Sequence, residues 1–124
     1  MHEGKISSEI NYILIVDNRT RYLLPVEDIL HVKAVRIYSV FYLRGQQRQY
    51  ISSRNLGDIC RELNPKMFLR VHKSHVINLQ EIKSCELARG GKITLSDDTV
   101  INVAQRRKAE LIWHLKGNKE QGTK

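Results

Sequence analysis

The chain has 124 residues, 41% of them hydrophobic and 27% charged, proportions typical of one globular domain and not of a disordered segment. Its 21 Lys and Arg residues against 13 Asp and Glu give a formal net charge of +8, which favours polyanionic partners such as nucleic acid, although a solubilising surface is the alternative interpretation. Two cysteines are too few for a disulfide scaffold, and no apolar run approaches the ~20 residues that cross a bilayer, so the sequence predicts a cytoplasmic domain with no membrane insertion.

The first half of the chain predicts short strands and no helix. Residues 12–16 are rich in β-branched and aromatic residues, and the turn-forming residues 17–20 separate them from a return strand over 21–24. Further apolar runs bounded by turn residues predict strands over 29–35, 38–44 and 48–52.

The hydrophobic period changes after residue 52. Apolar side chains recur at i, i+3, i+4 and i+7 over 56–63, which predicts a helix. Ser53 is a candidate N-cap, and Pro65 lies just beyond the expected end.

The second half predicts a return to strands and a terminal helix. The expected strands lie over 68–72, 76–78, 82–88, 92–95 and 99–103. A helix over 104–115 would place Ala109, Ile112 and Trp113 on one face, and Gly117 would end it. The predicted organisation is a flexible N-terminus over 1–11, one β-rich domain over 12–115 and a flexible basic tail over 116–124.

Signatures of catalysis and of metal binding are not found in the sequence. Gly90 and Gly91 belong to a predicted hairpin turn, so they do not form a nucleotide-binding loop. Adjacent Asp97 and Asp98 between two strands are typical of a turn. The histidines and cysteines lack zinc-ligand spacing. We therefore expect a protein that is not an enzyme and that holds no cofactor and no metal.

Residues 68–78 form the most distinctive stretch of the sequence. Apolar side chains bracket a polar knuckle that contains Arg70, His72, Lys73, Ser74 and His75. The residues alone allow two interpretations: a packed frame that presents hydrogen-bonding side chains to a duplex, or a core strand with a solvated turn.

The ordered motifs of the chain resemble the LytTR DNA-binding domain of bacterial transcription regulators over residues 26–115. The central signature has Phe, Arg, Val, His, a variable polar residue, Ser, two further residues, Val or Ile, and Asn, as at 68–78. The other matching motifs are an acidic residue and an isoleucine before a strand at 26–32, the start of a helix at 55–59, the closing elements at Ile82, 95–98 and 101–103, and a basic cluster at 105–107.

The resemblance implies a mainly β fold with elongated antiparallel β-sheets and two short helices, which reads DNA from loops. It also implies where the contacts lie. The outer loops would enter successive major grooves, the middle one would face the minor groove between them, and the target would be paired direct repeats in promoters. The implied DNA-contacting residues are Arg36, Ile37, Tyr38 and Ser39 in the first loop, Lys73 in the second, and Gln105 and Arg106 in the third.

The chemistry of these side chains suits DNA. Arg36 and Arg106 can each grip guanine or a phosphate, Gln105 can pair with adenine, and Lys73 suits the electronegative minor groove. The chain departs from the family at Gln105, where arginine is usual, and at Ala104, where serine is frequent, so the base preference would differ. Three neighbouring cations are expected at phosphates or on the surface: Arg70, Arg107 and Lys108. Framework roles are expected for His72 and Ser74, and Asn78 is expected to cap a local turn.

The leading interpretation is a sequence-specific regulator of transcription that binds double-stranded DNA, either as a stand-alone protein or as an excised domain. Further expected partners are a second copy on tandem repeats and a sensor or membrane protein upstream. The alternatives are an RNA or single-strand binding module with exposed aromatic platforms and an interaction partner of another regulator.

Overall fold

The structure is a computed structural model that describes the backbone of residues 11–123 and the side chains of residues 11–117. The predicted flexible N-terminus, apart from Asn11, lies outside the described residues. Within them the strands are β1 (Tyr12–Asp17), β2 (Thr20–Pro25), β3 (Ile29–Val35), β4 (Tyr38–Leu43), β5 (Gln49–Ser52), β6 (Phe68–His72), β7 (His75–Asn78), β8 (Ile82–Glu86), β9 (Lys92–Leu95) and β10 (Val100–Asn102). The helices are α1 (Leu56–Glu62) and α2 (Lys108–Thr123), and three 3₁₀ turns lie at Val26–Asp28, Leu79–Glu81 and Gln105–Arg107.

The strands form three antiparallel sheets. The largest has the order β5-β4-β3-β7-β6, while β1 pairs with β2, and β9 lies between β8 and β10. This arrangement confirms the prediction of a mainly antiparallel β fold with two helices. No helix in the described part of the chain is long and apolar enough to span a bilayer.

Two hydrophobic cores lie on opposite faces of the five-stranded sheet. Successive strand residues point to opposite faces, so Phe68 and Val76 enter one core while Leu69 and Ile77 enter the other. The first core also takes side chains from β1, β2 and α1. The second packs the sheet against β9, β10 and Leu111 of α2. Because β6 and β7 contribute to both cores, the turn that joins them has a rigid base.

Several tight turns adopt backbone angles that their residues predict. Asn18 and Arg19 both have positive φ, as a two-residue type I′ hairpin requires, and Asn is favoured there. Gly91 has a φ of +74°, and a Cβ added to it would lie 2.7 Å from the Lys108 side chain. The expected turn at Asp97 is also confirmed, since its carboxylate accepts a hydrogen bond from the Thr99 amide at 3.0 Å.

The helix boundaries differ from those predicted. Asn55, not Ser53, caps α1, and its side chain accepts from the Asp58 amide at 2.8 Å. The terminal helix begins at Lys108 instead of residue 104, because a 3₁₀ turn comes first. It also continues through Gly117, since one glycine disfavours a helix by only about 1 kcal/mol.

The predicted face of the terminal helix is also wrong. Leu111 is fully buried, whereas Ile112 and Trp113 are exposed, and Ala109 is exposed as well. Leu111, the side chain that packs on the sheet, therefore lies between Ala109 and Ile112, two of the residues that helical spacing predicted to share one face.

Candidate nucleic-acid interface

The sheet register brings the three predicted contact segments to one end of the five-stranded sheet. The turn after β3 ends that strand, and β7 begins beside it because Lys33 pairs with His75. The Ala34 amide donates to the Ser74 carbonyl at 2.8 Å, which fixes the β6–β7 turn against β3. On the other side of β6, the Ala104 amide donates to the Val71 carbonyl at 2.8 Å.

The first segment is a two-residue hairpin turn made by Arg36 and Ile37, closed by the pair Val35 and Tyr38. Arg36 has a φ of +59°, a left-handed conformation that disfavours L side chains by roughly 1 kcal/mol. Such strain is typical of functional loops. Arg36, Ile37 and Tyr38 are all exposed.

Ser39 does not belong to this surface. Its side chain is fully buried, and its hydroxyl donates to the Arg54 carbonyl at 2.7 Å. The prediction that Ser39 contacts DNA is therefore wrong, because strand alternation turns residue 39 inward and Tyr38 outward. The Ser39 hydrogen bond instead connects the β5–α1 loop to β4.

The second segment is the turn Lys73–Ser74 between β6 and β7. Lys73 is exposed, and the Ser74 amide donates to Nδ1 of His72 at 3.1 Å. Asn78 is buried at the far end of β7, where its side chain donates to the Ile29 carbonyl at 2.9 Å and accepts from the Gln80 amide. These contacts agree with the framework roles expected for His72 and Ser74 and with the turn cap expected of Asn78.

The third segment is the 3₁₀ turn Gln105–Arg107. Gln105 and Arg106 are exposed, and Arg107 is half-buried. Ala104 and Arg107 both contact the β6 backbone, so the turn is held beside the second segment.

Three cations expected at phosphates or on the surface instead bind backbone carbonyls. The Arg70 guanidinium donates to the Lys73 carbonyl, and Arg107 donates to the Arg70 carbonyl at 3.3 Å. Lys108 Nζ donates to the Leu87 carbonyl at 3.2 Å. Arg70 and Arg107 thus hold the second and third segments in place, and Lys108 joins α2 to the residues after β8. Sequence reasoning missed these roles because they depend on tertiary contacts.

Charge is distributed unequally between the two ends of the sheet. At the end opposite the contact segments, Arg44 binds Asp28 at 3.0 Å and Glu81 at 2.5 Å, and Lys83 binds Asp98 at 2.7 Å. The contact end is different. Within residues 11–117, the exposed cations of the three contact segments form no ion pair, namely Arg36, Lys73 and Arg106. Their positive field is therefore available to a polyanion.

Two histidines behind the contact end are held neutral. Burial lowers the pKa of His31 to about 4, with His75 adding to the effect, and the His31 ring stacks on Tyr42 at 4.3 Å. Burial lowers the pKa of His75 to about 4 as well, and electrostatic interactions with His72 and Lys33 add to the effect. Lys33 is exposed on β3 beside His75. Its effect on the pKa of His75 could not be predicted from the sequence, because a lysine in a strand carries no distinctive signal.

Acid is expected to destabilise the domain through His31. The unfolded chain binds a proton near pH 6.5 and the folded chain only near pH 4, so stability is complete above pH 6.5 and falls as pH drops between these values. At pH 4 the protonation of this histidine should lower the free energy of unfolding by about 2–3 kcal/mol. Urea unfolding from pH 7 to 4 measures it. In the His31→Phe variant, which keeps an aromatic ring at this position, the decline should be shallower by that amount. An identical decline in the variant would contradict the assignment.

A family model described as the LytTr DNA-binding domain matches residues 19–116. The transcriptional regulatory protein YpdB of Escherichia coli (strain K12) is 27% identical over 81 residues, which are 65% of this chain and 32% of that protein. The heme-containing CO-sensing transcriptional regulator RcoM 1 of Paraburkholderia xenovorans (strain LB400) is 28% identical over 92 residues, 72% of this chain and 34% of that protein. The chain therefore spans about a third of the length of these curated relatives.

A solved structure shares the fold. It is the LytTr DNA-binding domain of a methyl-accepting/DNA response regulator from Bacillus cereus, which superposes with a TM-score of 0.73 at 13% identity. The match covers 85% of this chain and 96% of that one. These findings do not favour the alternative of an RNA or single-strand binding module.

Proposed function

The chain belongs to the LytTR family of DNA-binding domains, and from this premise we propose that it recognises specific sequences of double-stranded DNA through three segments at one end of its five-stranded sheet. The segments are 36–38, 73–74 and 105–106. The strongest support is the convergence of Arg36, Lys73 and Arg106, exposed and without ion-pair partners among residues 11–117, on one end of a rigid scaffold.

Each segment has a distinct proposed role. The outer segments enter successive major grooves, where Arg36 and Arg106 bind guanine O6 and N7 or a phosphate and Gln105 pairs with adenine. Lys73 faces the minor groove between them, whose floor carries acceptors. Tyr38 contacts mainly the sugar–phosphate backbone beside Arg36. Because the middle segment is held to both neighbours by backbone hydrogen bonds, the three contacts approach the duplex with little loss of entropy.

The wider role we propose is regulation of transcription from promoters that carry direct repeats. Two copies of the domain would occupy tandem sites, each through its own three segments. We propose residues 12–115 as the DNA-binding unit, acting without catalysis and in the cytoplasm, where promoters are accessible. A sensor or membrane protein upstream would supply the signal.

Selected duplex DNA should bind far more tightly than unrelated nucleic acid. After selection from a random duplex pool, the Kd for the recovered sequence should be about 10³-fold or more below that for a shuffled duplex. Affinity should fall steeply with salt, since several phosphates are neutralised on binding. Fluorescence anisotropy at matched ionic strength measures both effects.

Single-stranded RNA of the same sequence is the control for this experiment. Equal affinity for RNA and for the selected duplex would contradict the proposal. Equal affinity for the selected and the shuffled duplex would show that the protein binds DNA without sequence preference.

A further inference from the structure

A cavity lies between α1, the strand β6 and the start of α2. Its volume is about 420 Å³, which is within the range of sites for small molecules. Its apolar lining comes from Cys60, Pro65, Phe68 and Leu69. None of the exposed side chains proposed to contact DNA lines it, namely Arg36, Lys73, Gln105 and Arg106.

Three guanidinium groups line the same cavity, those of Arg61, Arg70 and Arg107. A Cβ placed on Gly57 would lie 3.3 Å from Oδ1 of Asn55 and 3.8 Å from Nη1 of both Arg61 and Arg70, so the absence of a side chain at residue 57 leaves space beside two cations. Glu110 is the single carboxylate among the described residues of the lining. Arg61 already pairs with Asp58, which lies outside the lining, whereas Arg70 and Arg107 form no ion pair among the described residues. Their positive charge therefore favours an anion in the cavity.

The arginines also carry unused donors. Nε of Arg70 and Nε of Arg107 are buried, and neither has an acceptor in the part of the chain that the structure describes. A buried N–H group favours a conformation or a ligand that supplies an acceptor. A carboxylate accepts two parallel hydrogen bonds from one guanidinium, a geometry that arginine matches better than lysine does.

We propose that this cavity binds a small carboxylate with an apolar body. The carboxylate lies at the arginines, and the apolar body packs against Phe68, Leu69 and Pro65. A bare anion such as phosphate satisfies only the charged half of the site. A neutral apolar molecule satisfies only the other half.

Occupancy of the cavity also affects the β6–β7 turn. Arg70 donates to the Lys73 carbonyl, and Arg107 donates to the Arg70 carbonyl. A carboxylate that recruits Arg70 competes with the Lys73 carbonyl for the same guanidinium. The turn that presents Lys73 therefore changes its environment when the cavity fills.

Linear carboxylates test this site without DNA. Butanoate, hexanoate and octanoate are titrated into ¹⁵N-labelled protein at constant ionic strength, with 1-octanol and inorganic phosphate as separate probes. Octanoate should cause saturable shifts at Gly57 and Cys60, accompanied by the Ser74 amide. Affinity should rise roughly fourfold per added methylene until the cavity is filled. Octanol and phosphate should each bind at least tenfold more weakly than octanoate.

A matched pair of variants separates the cavity from general surface charge. Arg61→Gln removes a lining cation whose side chain is largely exposed, so folding should be retained and is checked by circular dichroism. This substitution should weaken the binding of octanoate at least threefold. Arg89→Gln makes the same charge change on the β8–β9 turn, outside the cavity, and should leave octanoate affinity unchanged.

Four results would overturn the site: no saturable binding, equal binding of octanol, equal binding of phosphate, or equal losses in both variants. Shifts at Gly57 and Cys60 without any change at Ser74 would remove the link to the turn. None of these outcomes bears on duplex binding, which is measured separately.

Discussion

Replacing Arg36, Lys73 and Arg106 together with alanine is expected to weaken binding of the selected duplex by about 10³-fold or more. A cation that reads a base contributes about 1–3 kcal/mol, and contacts on separate segments add approximately. All three side chains are exposed and form no ion pair among residues 11–117, so the fold should be unchanged. Anisotropy titrations at fixed salt measure the loss.

The matched control replaces three exposed lysines that lie outside the contact segments, Lys66, Lys83 and Lys116. It removes the same net charge, so long-range attraction falls equally while direct contacts remain. We expect this control to keep affinity within about tenfold of the unaltered protein. Equal losses in the two triple variants would show that net charge, and not the three segments, determines binding.

Phe68→Ala is expected to destabilise the domain by about 3–5 kcal/mol, because it removes a large side chain that is 3% exposed at the base of the β6–β7 hairpin. Domains of this size are stable by only about 5–15 kcal/mol, so much of the protein would unfold on mild heating. Loss of duplex binding should then follow unfolding. Urea denaturation followed by circular dichroism measures the change.

An exposed aromatic residue provides the comparison for Phe68. Tyr12 is 51% exposed, so Tyr12→Ala should change stability by only about 0.5 kcal/mol. A Phe68→Ala variant as stable as Tyr12→Ala would show that the first core does not depend on β6.

The sequence predicts the strands well because their signals are local. Alternating apolar residues and Gly, Asn or Asp at turns are sufficient to place β1 to β5 within one or two residues. The start of α2 is harder to predict from local sequence signals. Residues 104–107 have helical spacing, yet the Ala104 amide binds the Val71 carbonyl and the Arg107 amide binds the Ala104 carbonyl, which favours a 3₁₀ turn.

The candidate site is also only partly predictable from the sequence. A family resemblance is enough to place Arg36, Lys73 and Arg106 in turns, and the register then brings those turns together. It is not enough to separate contact residues from supporting ones. Ser39 points inward by strand alternation, and its hydroxyl donates a hydrogen bond to the Arg54 carbonyl, from a loop 15 residues away. Arg70 carries the same charge as a phosphate-binding arginine, and only its contact with the Lys73 carbonyl reveals its supporting role.

The most direct test maps the backbone amide signals of ¹⁵N-labelled protein during titration with the selected duplex. The largest changes should cluster at 36–38, 73–74 and 105–106, while the signals of Lys66, Lys83 and Asp98 at the opposite end stay unchanged. The reverse pattern, with changes centred on Lys83 and Asp98 and none in the three segments, would contradict this prediction.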